Sequence, residues 1–297
     1  MIIYRGMSGL QKKTDQAMRM QHIKFFSCVL AISLGLPFQT VFSTEIFRVE
    51  DASGRVTYSD KATDGAKPVQ LPDRVYRHLH RVKKVYDGDT LVLENGKRVR
   101  LLGVNTPEIE SRHRAGEPGG KLAKTWLQKR LQGRKVYLEY DLEKQDKYRR
   151  LLAHVFLPDG KHINLELIKN GLAFVSIMPP NLRHADQFEL AQKLAEQSKL
   201  GIWRLPRYQA QALTAITSDN RGWRRYTGVP QSVQQKKRFT YLIFSNQTNI
   251  RIDNDHLGHF PDLESYLGKT VEIRGWVSRR SDKFSMQIRH PSALIRL

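Results

Sequence analysis

The sequence predicts a mixed α+β protein: a five-stranded β-barrel carrying three helices, followed by a small all-β, barrel-like domain. Between residues 76 and 205, short β segments with a strong hairpin signal are interleaved with amphipathic helical stretches. Beyond residue 226 only strand-length segments recur, and residues 206–225 between the two regions read as a polar linker. Residues 44–75 read as a separate small β-hairpin module and residues 1–43 as a signal peptide.

In the hairpin module, Ile46 to Val49 alternates, Ser53-Gly54 turns and Val56 to Tyr58 returns. A two-stranded hairpin is marginal by itself. With Tyr58-Ser59-Asp60 it resembles a short N-terminal module of exported bacterial proteins, which informs location rather than chemistry. In the next region, Val82–Tyr86, Thr90–Leu93 and Val99–Val104 are three short strands, with Asn95-Gly96 as the turn between the second and third. After Pro118-Gly119-Gly120 a helix places Leu122, Trp126, Leu127 and Leu131 on one side. Val136–Tyr140 and Leu151–Phe156 are two more strands. Asn164 is the expected N-cap of a helix ending at Gly171, and Gln187–Lys199 a last helix with Phe188, Ala191, Leu194 and Ala195 inward. Three strands, helix, two strands, two helices is the order of an oligonucleotide-binding (OB) type barrel. In the last region Phe239–Phe244, Asn249–Ile252, Thr270–Val277 and Phe284–Ile288 are strands without a helical run.

Composition narrows the partners. Lys and Arg number 50 against 29 Asp and Glu, a formal charge of +21, and such an excess suits polyanions: nucleic acid, an anionic membrane surface or acidic envelope polymers. The apolar run Phe25 to Leu36, with Arg19 and Lys24 upstream and small residues after it, has a signal-peptide pattern. Cleavage is expected after Ser43, with Val41 and Ser43 read by the peptidase and Met18 or Met20 as alternative starts. The product is expected to be exported, periplasmic or secreted. If the run is not cleaved it becomes a membrane anchor, although about a dozen apolar residues are short for a span. The single cysteine, Cys28, lies in that run, so cleavage excludes disulfides and thiolate metal sites.

Three stretches carry chemistry. Asp87-Gly88-Asp89-Thr90 joins two strands through a glycine that lets two carboxylates converge, either a hard-cation site or an ordinary turn. Arg100 to Glu108 takes an arginine into a buried strand, where it needs an anion, and ends in a polar turn with a glutamate. Asp146-Lys147-Tyr148-Arg149-Arg150 is the third. Taken singly, Glu108 also reads as a solvated loop carboxylate, Arg100 as a cover for the barrel mouth and Arg150 as part of a basic run.

In order and spacing these three stretches resemble the staphylococcal nuclease (thermonuclease) family. The resemblance covers nearly all of residues 80 to 204, including Glu117-Pro118-Gly119-Gly120, Asn164 to Ala173 and Gly201-Ile202-Trp203. It implies that Asp89 binds Ca²⁺, with the Thr106 carbonyl and Asn105 completing the protein ligands and Asp87 as an outer carboxylate. It also implies that Arg100 and Arg150 clamp the scissile phosphate and that Glu108 activates water. Lys147 and Tyr148 would contact the nucleotide, and the P–O5′ bond would break to leave 3′-phosphates. Oxygen-only donors suit Ca²⁺, and guanidiniums answer the charge of a pentacoordinate phosphorane.

The chain departs from the family in two places. Asn105 stands where the family usually has a second metal-binding aspartate, which weakens the site or shifts its preference toward Mg²⁺ or Mn²⁺. No tyrosine appears around Ile177-Met178-Pro179-Pro180. His78 and His80 show a His-X-His spacing without a third ligand. Arg279-Arg280 and Arg289-His290 read either as phosphate contacts or as solvated strand edges. Gly268 to Val277 resembles the OB-like barrels appended to some bacterial nuclease-domain proteins, with either a nucleic-acid-binding or a structural role.

The expectation is an exported, Ca²⁺-dependent endonuclease acting on single-stranded or duplex DNA and RNA, a monomer with no obligate protein partner. The alternatives are a non-catalytic nucleic-acid-binding protein with a metal site impaired at Asn105, and an envelope protein whose charge binds surface polymers.

Overall fold

The computed structural model describes residues 78–111, 115–217, 220 and 222–297, together with the backbone of three strands nearer the N-terminus. The signal segment, its cleavage site and the Ser53-Gly54 turn lie outside the described residues. The chain divides into two compact units, residues 1–72 and 73–297. In the first, β1 (Ile46–Glu50) pairs antiparallel with both β2 (Val56–Ser59) and β3 (Lys67–Val69) in the order β2-β1-β3. The expected hairpin thus has a third strand, Lys67-Pro68-Val69, too short to carry a periodic signal.

The second unit begins with β4 (His80–Val85), β5 (Thr90–Leu93), β6 (Arg98–Leu101) and β7 (Val104–Asn105). It continues through α1 (Gly120–Leu131), β8 (Lys135–Glu139), β9 (Leu151–Phe156), α2 (Ile163–Lys169), β10 (Phe174–Val175) and α3 (Ala185–Gln197). Five strands close a barrel in the order β4-β5-β6-β9-β8, as the sequence predicts. The β6–β9 pairing is parallel, Val99 opposite Leu151, and antiparallel β4–β8 contacts complete the closure. Val82, Val85, Leu91, Leu93, Val99 and Leu101 fill the interior.

The expected strand Val99–Val104 is broken at Leu102-Gly103. Gly103 adopts φ 72°, and a Cβ there would fall 2.3 Å from the Phe188 ring, so the chain turns and Val104–Asn105 pairs with β10 instead. The helices bury most of the residues expected inward, with two exceptions. α1 buries Ala123, Leu127 and Leu131, whereas Leu122 is half exposed; α3 buries Phe188, Ala191, Gln192 and Ala195 and leaves Leu194 outside. Asn164 lies inside the first turn of α2, with His162 at the cap. Its buried amide accepts from Val155 N–H (2.9 Å) and donates to the Leu102 carbonyl (2.8 Å), tying helix to barrel.

After α3 the chain makes short 3₁₀ turns at Gly201–Arg204, Pro206–Tyr208 and Leu213–Ala215. The strands of this region are β11 (Gln211–Ala212), which precedes the last of these turns, and β12 (Trp223–Gly228), β13 (Ser232–Gln235), β14 (Phe239–Ile243), β15 (Thr248–Asp253), β16 (Val271–Arg280), β17 (Lys283–Ile288) and β18 (Leu294–Arg296), which follow it. These form one eight-stranded sheet in the order β11-β12-β16-β17-β15-β14-β13, with β18 on β16. The expected all-β C-terminal domain is present: the long β16 pairs with β12 through its first half and with β17 through its second, and β15 runs parallel to β17 as β6 does to β9.

Residues 206–225, read as a polar linker, instead join sheet to barrel. Tyr208, Leu213 and Trp223 are buried, and Trp223 stacks on Phe174 at 4.0 Å between centroids. Arg274 donates to Glu196 on α3 at 2.7 and 2.9 Å, and Arg225 bridges Glu196 (3.0 Å) and Glu272 (2.7 Å). Charged groups buried with paired geometry of this kind fix one orientation of the two halves.

Candidate active site

The turn between β4 and β5 is held by Tyr86 N–H and Asp87 N–H, both donating to the Thr90 carbonyl. Gly88 is required there: a Cβ would sit 2.5 Å from Thr106 Oγ1 and 2.8 Å from its carbons. The close approach lets Asp89, 7% exposed, accept from Thr106 N–H at 3.0 Å and from the Thr106 hydroxyl at 3.3 Å through Oδ2, while Oδ1 accepts from Thr90. Asp87 folds back to accept Asp89 N–H at 3.1 Å. Burial first, and the neighbouring Asp89 carboxylate second, push Asp87 up to about 7.

Arg100 on β6 lies against this pair. Its Nη1 donates to the carbonyls of Leu101 (2.6 Å) and Val104 (2.8 Å), and its Nη2 to Asn105 Oδ1 (2.7 Å), with Asp89 Oδ2 at 3.2 Å. Asn105 in turn donates through Nδ2 to the Thr106 carbonyl at 3.0 Å. The following turn carries Glu108, whose N–H donates to Glu117 Oε2 at 3.1 Å, while Glu117 N–H returns to the Glu108 carbonyl at 2.8 Å. Glu117 is held by Arg207 at 3.2 Å. On the other side Asp146 accepts the backbone N–H groups of Tyr148 and Arg150, both at 2.9 Å, and pairs with Arg150 Nε and Nη2, both at 2.7 Å. Burial opposes ionisation of Asp146, but these bonds and the Arg150 charge outweigh it and hold the carboxyl below its usual range.

All nine residues singled out from the sequence, Asp87, Asp89, Arg100, Asn105, Thr106, Glu108, Lys147, Tyr148 and Arg150, line one cavity of about 570 Å³. Two of them are already engaged in ways the sequence did not suggest: the Asn105 oxygen by Arg100 and the Thr106 carbonyl by Asn105. Asp146 went unrecognised as the anchor of Arg150, although its spacing four residues before the arginine is a readable signal. Trp276 and Arg289, from the C-terminal sheet, line the same cavity; only the fold brings them there.

Sequence comparison follows the same residues. Residues 98–205 match the family model described as staphylococcal nuclease homologue. Thermonuclease from Staphylococcus intermedius is 43% identical over 125 residues, 41% of this chain and 74% of that protein. The chain belongs to the staphylococcal nuclease family. Thermonuclease from Staphylococcus hyicus is 39% identical over 128 residues, 42% of this chain and 75% of that protein, and endonuclease YncB from Bacillus subtilis is 40% identical over 125 residues, 40% of this chain and 59% of that protein.

The donor set of the nuclease site is all oxygen, and the Gly88 turn brings the Asp87 and Asp89 carboxylates together at the cavity, so the site fits a hard divalent cation. A second cluster lies away from the cavity lining: His154, His162 and His184 bring ring nitrogens within 4.8 Å of one another. His162 Nε2 and His154 Nδ1 share a hydrogen bond at 3.3 Å, and His184 Nε2 meets Glu139 at 2.7 Å, so these imidazoles satisfy each other as they stand. His78 and His80 join no cluster of three potential ligands among the described residues. No helix among them is long and apolar enough to cross a membrane.

Proposed function

We propose that the protein is an exported, Ca²⁺-dependent endonuclease that hydrolyses single-stranded or duplex DNA and RNA and leaves 3′-phosphates. The observation that carries this reading is the convergence of two crowded carboxylates, two arginines and a glutamate in one cavity. Asp89, the Asn105 amide oxygen and the Thr106 carbonyl would hold the cation, with Asp87 outside them. Once bound, the cation supplies positive charge against the phosphate. Glu108 takes a proton from the attacking water, a role that contributes roughly 10²- to 10⁴-fold in rate. Arg100 and Arg150 neutralise the charge gathering on the equatorial oxygens. Phosphate contacts carry little base information, so base preference is expected to be broad and binding steeply salt-dependent. Export rests on the leader pattern of residues 1–43.

The test is cleavage of single-stranded DNA by the chain from Thr44, with Ca²⁺, Mg²⁺, Mn²⁺ or chelator, beside Glu108→Ala and Arg100→Ala. Calcium-stimulated cutting that both substitutions lower by orders of magnitude is the expected result. Binding without cutting in any metal would instead favour a nucleic-acid-binding protein, a reading supported by the Asn105 amide lying on the Thr106 carbonyl.

A further inference from the structure

We propose that the C-terminal sheet forms the second wall of the substrate cleft, a subsite in which Trp276 stacks on an unpaired base and Arg289 holds a neighbouring phosphate of single-stranded nucleic acid. The inference extends the nuclease reading of this cavity, and nothing in the barrel domain by itself implies it.

The first observation is an uncompensated cation. Arg289 follows β17 and lines the cavity that holds Arg100 and Arg150. Those two arginines are already paired, with Asp89 and Asp146. Arg289 has no hydrogen-bond or ion-pair partner among the described residues. Burial lowers its affinity for the proton and the nearby Arg251 adds to this, with only Asp253 acting the other way. Asp253 is itself shared with Arg238 at 3.5 Å, and Arg251 Nε is buried without a partner. A half-buried guanidinium in such surroundings calls for an anion, and the fork geometry of arginine suits a phosphate.

The second observation is an exposed aromatic ring at the same wall. On β16, Val271, Ile273 and Gly275 are buried, whereas Trp276 is 39% exposed and borders the cavity. A large apolar ring left open beside cations is the element single-strand binders use, since every base offers a π-face. A duplex hides those faces in its own stack, so the ring selects unpaired substrate. Across the cavity Tyr148 is 63% exposed, with Lys147 Nζ 5.1 Å and Arg150 5.5 Å from its ring.

The third observation is rigidity. The Arg274–Glu196 and Arg225–Glu196 pairs and the Phe174–Trp223 stack hold the sheet to the barrel, so the wall stands at a set distance from the catalytic cluster.

The test measures binding and cleavage separately, on the full chain from Thr44. Equilibrium binding of a short fluorescent single-stranded oligonucleotide, in chelator, is compared with binding of the same sequence as duplex. Trp276→Ala is expected to weaken single-strand binding on the order of tenfold and duplex binding less than twofold, with Trp276→Phe restoring most of the loss. Arg289→Ala is expected to weaken both and flatten the salt dependence by about one phosphate contact, with Arg289→Lys recovering part. In cleavage assays the alanine variants should raise KM for the oligonucleotide and leave kcat within about twofold. Single-strand binding unchanged in both alanine variants, or an equal loss on duplex and single strand for Trp276→Ala, would overturn the proposal. Thermal unfolding of each variant separates loss of fold from loss of contact. Weakened binding in a chain that cuts in no metal would sustain the subsite while refuting the nuclease reading.

Discussion

Asp146→Asn isolates the positioning of Arg150 from the shape of its loop. The carboxylate does two jobs with different oxygens: Oδ1 accepts two backbone N–H groups, at Tyr148 and Arg150, and Oδ2 accepts Nε and Nη2 of Arg150 at 2.7 Å each. Asparagine keeps an acceptor for the backbone and replaces the other oxygen with an amide that cannot accept from a guanidinium. Two charge-assisted bonds are lost, each worth roughly 1.5–3 kcal/mol in favourable settings. The pair is 27% and 18% exposed, so water takes up part of the loss, and the expected fall in stability is about 2 kcal/mol. A guanidinium released from its tether is displaced on the order of 1 Å, which costs about 10²-fold in rate when the group acts on the reacting phosphate. The assay is single-stranded DNA cleavage at saturating Ca²⁺, kcat and KM measured separately, alongside thermal unfolding. The expected result is a kcat fall of about two orders of magnitude with KM little changed. A lowered Tm with kcat intact would refute the argument, because Arg150 would then serve the fold and not the phosphate.

Asn105→Asp restores a carboxylate where an amide now lies on the Thr106 carbonyl at 3.0 Å; the Ca²⁺ concentration for half-maximal activity should fall by about tenfold, checked by metal titration of activity and by calorimetry. The histidine cluster predicts acid sensitivity. Burial, then the charges of His184 and Arg183, lower His154 to about 3, so between that value and the unfolded value near 6.5 the unfolded chain binds the extra proton. Stability from this group is complete above about pH 6.5 and falls below it, by at most about 1.4 kcal/mol per pH unit. Glu139, lowered chiefly by its hydrogen bond from His184, adds a further loss as pH drops through the ordinary glutamate range near 4.5. Tm measured against pH should therefore decline from pH 6.5 downward, and His154→Gln should flatten the first part of that decline; a flat wild-type profile to pH 5 would count against the buried neutral imidazole.

The barrel was legible because its signals are local. Asn95-Gly96 sets a hairpin, alternation marks each strand, and Asp-Gly-Asp needs only Gly88 to bring its carboxylates together. The candidate site was legible for the same reason: Arg100 to Glu108 and Asp146 to Arg150 are contiguous stretches, and closure of β6 on β9 brings them to one cavity. Where the structure departs from the periodic pattern, tertiary packing decides. Leu122 and Leu194 have the period of a buried face, but Ala123 packs in the barrel core beside the first and Ala195 against Ile202 and Trp203 beside the second, leaving both leucines exposed. Asn164 has the chemistry of a cap, yet it lies two residues past the cap, where its amide bonds Val155 N–H and the Leu102 carbonyl. The segment read as a linker is polar in composition, and the partners of its arginines, Glu117 for Arg207 and Glu196 and Glu272 for Arg225, lie on elements distant in sequence.

The overall charge of +21 suits a polyanion, or a generally basic soluble surface, and does not locate where a strand is first held. Within the cavity the two arginines aligned with the chemistry are neutralised by Asp89 and Asp146, so a phosphate gains from them only by competing with a carboxylate that is already well placed. Arg289 makes no hydrogen bond or ion pair with a carboxylate among the described residues, and Asp253, the one acid acting on its charge, is shared with Arg238. A strand entering the cleft therefore gains most at the C-terminal wall, and the catalytic arginines act once that anchor has raised the local concentration of phosphate beside them. On this argument affinity belongs mainly to the sheet and rate mainly to the barrel. Substitutions at Trp276 and Arg289 should then move KM, those at Arg150 and Asp146 should move kcat, and a double variant pairing one from each wall should show additive effects.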